Sequence, residues 1–183
     1  ARVESYRVAL RDGAARGDDL RAYLAEHSGL PGPRGNLELI WAAAEELDVT
    51  TLEALAGSAD EFEACAGVVG LGRAIADGRD DLVAVLRGHA GDPRWRVREA
   101  VAMALQRWGD ADLPAMVGEA ERWAGGSRLE QRAAAAGTCE PRLLADPAIA
   151  RRVVALLDGI TATLPTAADR RTDAFRVLRQ ALG

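Results

Sequence analysis

Gly91-Asp92-Pro93-Arg94-Trp95-Arg96-Val97-Arg98-Glu99-Ala100-Val101-Ala102-Met103-Ala104-Leu105-Gln106-Arg107-Trp108-Gly109-Asp110 is the stretch that decides the fold. Asp92 before Pro93 has the form of a helix start. The acid can accept from free backbone N–H groups, and a proline at the first helical position loses no bond by lacking its own. Val97, Val101, Ala104, Leu105 and Trp108 then fall on one face at helical spacing, and Gly109 closes the run. A weaker copy follows, with Arg132-Ala133-Ala134 overlaying Arg98-Glu99-Ala100. Glu63-Ala64-Cys65 stands at the matching place upstream, and Arg171-Thr172-Asp173-Ala174 is a degenerate copy downstream. Recurrence at a nearly fixed spacing predicts helical hairpins stacked side by side, each covering its neighbour's apolar flank.

Working outward, other helix starts are equally legible. Thr50-Thr51-Leu52-Glu53, Ser58-Ala59-Asp60-Glu61 and Ser127-Arg128-Leu129-Glu130 have the capping-box form, Asp146-Pro147 repeats the Asp-Pro device, and Thr166 with Asp169 is a looser version. The spacing predicts helices over 2–11, 18–27, 37–47, 51–56, 60–77, 80–89, 94–108, 113–124, 128–137, 147–163 and 167–182. No segment alternates with period two, so no sheet is expected. Gly29-Leu30-Pro31-Gly32-Pro33-Arg34-Gly35 cannot continue a helix and predicts a subdomain boundary or a mobile loop. Gly67, Gly70 and Gly72 inside one helix predict close contact with a neighbour or a local break; they lack the order and the preceding strand of a dinucleotide loop.

Composition agrees with packed helices. The chain has 183 residues, 49% of them hydrophobic and only 4% aromatic, enough for one core rich in Ala and Leu. All 23 basic residues are arginine, and the net charge is −5, which argues against a general nucleic-acid binder. Residues 1–91 hold 9 Arg against 16 acids (−7), and 92–183 hold 14 against 12 (+2), so a polyanion is expected, if anywhere, on the second part. Cys65 and Cys139 are lone cysteines, read as reduced, buried thiols in a cytoplasmic protein. No apolar run is long enough to span a membrane.

Leu82-Val83-Ala84-Val85-Leu86 through Asp92, Val97-Arg98-Glu99-Ala100, Ala104-Leu105 and Gly109-Asp110 together resemble a HEAT repeat of the short bacterial type. Residues 113–182 follow in phase and 60–79 in period only. The resemblance implies an all-α, right-handed α–α superhelix over residues 58–183, preceded by a divergent helical cap over 1–57. It also implies a concave binding face, and for Arg98 an ion pair with an aspartate at a turn, Asp92 or Asp110.

The residues expected to bind are Arg94, Trp95, Arg98, Arg128 and Arg132. Arg94 and Arg98 share a helix face, and Trp95 shares its side with Glu99 and Ala102. The plainer reading, a packed indole beside solvated arginines, is preferred. The first function expected is a non-enzymatic module that binds a protein or peptide on the concave face. The alternative comes from a weaker resemblance to HEAT-like alkylpurine DNA glycosylases, whose inner helices carry tryptophan and arginine. Trp95, Trp108, Trp123, Arg98 and Arg132 are of those types, but that family's Ser-Trp-Asp-x-Val-Asp-like run is absent. No cofactor or metal site is expected: His27 and His89 each stand alone, read as helix-end residues. Phe175, Leu178 and Leu182 are expected to leave an apolar edge. Asp18-Asp19, Glu45-Glu46 and Asp80-Asp81 are read as helix-dipole partners or a solvated face.

Overall fold

The computed structural model describes residues 2–13 and 18–183, the side chains of Asp18 and Asp19 excepted. The described residues form eleven α-helices and one 3-10 turn, with no strand. These are α1 (Arg2–Asp12), α2 (Asp18–His27), α3 (Leu37–Glu46), α4 (Val49–Ala56), α5 (Glu61–Ala76) and α6 (Leu82–His89). After them come α7 (Trp95–Ala111), α8 (Leu113–Ala124), α9 (Arg128–Thr138), the 3-10 turn (Pro141–Leu144), α10 (Pro147–Ala162) and α11 (Asp173–Ala181). None of these helices is long and apolar enough to cross a membrane.

Short polar side chains start most of the helices, but not α7. Its N-cap is Arg94, which makes no side-chain cap, and Asp92 accepts instead from the Arg94 N–H at 2.8 Å, so Pro93 precedes the helix and does not open it. Ser127 and Glu130 make the expected reciprocal capping box, and Asp146 accepts from the Ala148 N–H at 2.7 Å. Elsewhere a nearer aspartate displaces the expected cap. Asp48, not Thr50, accepts from Thr51 N at 3.0 Å, and Asp60, not Ser58, from Glu63 N at 2.9 Å. The last helix starts at Thr172 rather than Thr166, because the Asp169 carboxylate is turned to Arg128 and is not available to an earlier helix.

The odd-numbered helices pack in sequence order: α1 on α3, α3 on α5, α5 on α7, α7 on α9, and α9 on α11. The even helices lie against this row, α4 on α5, α6 on α5 and α7, α8 on α7 and α9, α10 on α8 and α9. One apolar cluster runs from Leu10 and Leu24 through Leu52, Leu71 and Leu105 to Leu178. Helix α5 is its centre, with every position from Phe62 to Gly72 buried. That burial explains the glycines, which mark close contact and not a break: a Cβ on Gly67 would meet the Leu52 carbonyl oxygen at 2.6 Å.

Two expectations are corrected. Phe175 and Leu178 leave no apolar edge; they are buried where α11 packs on α9. Cys65 is buried as expected, but Cys139 is exposed, because it follows the last turn of α9 where the chain leaves the core.

Candidate functional site: a cleft around Trp95

Trp95 opens α7, and its indole is 53% exposed, while Trp123 is fully buried and Trp108 nearly so. The preferred reading of Trp95 as packed is therefore reversed, and so is that of its neighbours as solvated. The physical reason is the helix period. Val97, Ala100, Val101 and Ala104 take the buried side of α7, and Trp95 stands on the other with Glu99. The Arg96 guanidinium lies 4.6 Å from the indole centroid and donates to Glu61 on α5 at 2.8 Å. The cation thus holds the ring's orientation and is itself held by a carboxylate.

Arg94 does not extend into solvent. Its Nε and Nη2 grip the Asp92 carboxylate at 2.9 and 2.8 Å, and its Nη1 donates to the carbonyls of Ser58 and Ala59 before α5 at 2.9 and 3.1 Å. That pairing holds the Asp92 carboxyl below its ordinary range. Arg132, almost fully buried, donates to the Arg98 carbonyl at 3.0 Å and to Glu99. Arg128 takes Asp169 in two bonds of 3.0 and 3.2 Å and also reaches Thr163 and Gln131. These three arginines therefore tie successive elements of the odd-helix row together.

Arg98 differs. Neither Asp92 nor Asp110 pairs with it, since Asp92 is occupied by Arg94 and Asp110 by Arg142. It donates only Nη1, to the carbonyls of Asp92 and Pro93 at 2.7 and 2.9 Å. This turns the expected ion pair into a brace across the first turn of α7 and leaves Nε and Nη2 without a protein acceptor among the described residues.

Trp95 and Glu99 form the divide between two cavities. One, about 540 Å³, is walled by Leu37 and Ile40 of α3, Phe62 and Cys65 of α5, and Met103 of α7, with Arg34 in its lining. The other, about 300 Å³, is bounded by Arg98, Arg132 and, from α11, Val177 and Gln180. The larger falls in the range of pockets that bury a ligand or an anchoring side chain. Its walls were missed in the sequence because they come from four separated segments. The loop Gly29–Gly35 belongs to it: Asn36 N donates to Ser28 O at 2.8 Å, and the Asn36 amide donates to Tyr6 Oη and His27 O, each at 2.9 Å, which fixes the loop's exit.

Burial pushes the Cys65 thiol up to about 12, so it is not a thiolate at neutral pH. Among the described residues no three of His, Cys, Asp or Glu are grouped to hold a metal ion. Comparison with protein-family models, with curated proteins and with solved structures finds no match in any of the three.

Proposed function

We propose that this chain is a non-enzymatic interaction module that binds a protein or peptide segment on the face formed by α3, α5, α7 and α9. The observation that carries the reading is Trp95, a half-exposed indole set between an apolar cavity and a mixed one that Arg98 and Arg132 line. A large aromatic beside a preformed apolar pocket is the chemistry of an interface anchor. The order of the odd helices supports a HEAT-like stack, which we take to be a right-handed superhelix with this cleft on its concave side. The free thiols of Cys65 and Cys139 suit a reducing, cytoplasmic setting.

The nucleic-acid alternative draws on the same residues. It is the weaker reading, because Arg94, Arg128 and Arg132 already spend their donors inside the protein, and a phosphate would have to displace those partners. The test is selection of a displayed random-peptide library on the immobilised chain, beside a titration with short duplex DNA carrying a methylated purine. Enrichment of related peptides that Trp95→Ala no longer retains is the expected result. DNA binding lost in Arg98→Gln, or release of the methylated base, overturns it.

A further inference from the structure

We infer that the segment this cleft accepts carries an apolar side chain next to a carboxylate. The inference rests on the interaction reading above and names the chemistry of the partner.

The apolar half of the demand comes from the larger cavity. Ile40 and Phe62 close its floor from within the core, while Leu37, left 55% exposed, and the half-buried Met103 offer carbon surface there, so an apolar side chain seated against them removes further apolar surface from water. The indole of Trp95 borders the same space and offers its free area.

The acidic half comes from an unmatched set of donors. The charged residues lining the two cavities are Arg34, Arg96, Arg98, Arg132 and Glu99. Glu99 receives Arg132, and Arg96 is matched by Glu61 from outside the lining. Arg34 makes no hydrogen bond or ion pair with any other described residue, and Arg98 keeps Nε and Nη2 unused. Four guanidinium groups against two carboxylates leave this face with two surplus positive charges, on a chain whose net charge is −5. A guanidinium presents its donors as a planar fork that fits a carboxylate in two bonds. A basic segment would be repelled here, and a purely apolar one would strip water from Arg34 and Arg98 without replacing it.

The experiment is sequencing of a random-peptide library selected on the full chain, on Arg34→Gln, on Arg34→Gln/Arg98→Gln, and on Trp95→Ala as the blank. Wild type is expected to enrich peptides with Leu, Ile, Met, Phe or Trp within four positions of Asp or Glu. Against the strongest such peptide, made synthetically, each arginine substitution weakens binding by about tenfold. The doubly substituted chain also loses most of the salt dependence. Arg34 has no described partner to lose, so its variant keeps the wild-type thermal melt and separates binding from folding. Apolar peptides enriched with no acidic bias, or with a basic one, overturn the inference and leave the interaction reading standing. No enrichment above the Trp95→Ala blank overturns both.

Discussion

Gly72 of α5 and Ala104 of α7 meet backbone against backbone: a Cβ built on Gly72 would lie 2.7 Å from the Ala104 Cα and nearer still to its carbonyl oxygen. No side chain can yield there, so Gly72→Ala must push the two central helices apart. We expect a loss of about 2–3 kcal/mol in urea unfolding. Gly159 in α10 has nothing within 4 Å of an added Cβ. Gly159→Ala should therefore stabilise by about 0.5–1 kcal/mol through helix propensity alone. Equal effects at the two sites would contradict the close crossing of α5 and α7.

The helices were legible because their signals are local. A Ser127-to-Glu130 box, an Asp146-Pro147 pair and a 3.6-residue apolar stripe act within a single turn or two, and tertiary packing leaves them in place. The caps that moved did so where a second acid or hydroxyl competed within a few residues, as Asp48 did with Thr50. The site was half legible. Trp95, Arg98 and Arg132 were picked out by type and position, yet the role of Arg132, like that of Arg94, depends on a partner 33 to 36 positions away, Glu99 for the one and Ser58 for the other. The spacing of Arg98 and Arg132 was visible as a repeat, but not that the second would grip the first one's carbonyl. Arg34 and the wall of the larger cavity carried no periodic signal, since a loop and three helices meet there only after folding.

Arg94 stitches α7 to the turn before α5, and its loss should be felt as stability. Arg94→Met leaves the Asp92 carboxylate without its guanidinium, and we expect a cost of about 2 kcal/mol at pH 7. The pH dependence follows from sign. The Asp92 pKa is lowered in the folded protein, chiefly by the Arg94 hydrogen bond. Its contribution is therefore full above the unfolded value of about 3.9 and is lost as pH falls through the folded value. Urea midpoints of wild type and variant should thus converge as pH falls from about 4 through the folded value. A gap that stays constant over that range would show that the carbonyl contacts to Ser58 and Ala59, not the carboxylate, carry the effect.

The two contrasting tryptophans should separate function from stability. Trp123 is fully buried and donates its indole N–H to Glu119 at 2.8 Å. Trp123→Ala opens a cavity and strips a buried carboxylate of a donor, so a loss of about 3–5 kcal/mol is expected. Trp95→Ala removes a half-exposed ring held by one cation contact and should cost about 1 kcal/mol or less. It should nevertheless remove most binding of a selected peptide. Steady-state fluorescence gives an independent check. Acrylamide should quench one emission component readily in wild type, and that component should vanish in Trp95→Phe.

The two thiols should differ in rate and in their effect on alkaline stability. With Ellman's reagent at pH 8, Cys139 should react in the native protein and Cys65 only on unfolding in guanidinium, so that Cys139→Ser abolishes the native phase. Burial raises the Cys139 thiol as well, with Thr138 opposing, and it should react more slowly than a free peptide thiol. Cys65 carries the stronger consequence. Its folded pKa is raised to about 12, so above the unfolded value of about 8.5 the unfolded chain ionises and the folded chain does not. Stability must then fall as pH rises from about 8.5 towards 12, by up to about 1.4 kcal/mol per pH unit. Cys65→Ala should flatten that slope while leaving the acid limb unchanged. Because Cys65 also lines the larger cavity, a bound peptide should slow its labelling further in mild denaturant. Unchanged labelling at saturating peptide would mean that the segment does not enter the cavity.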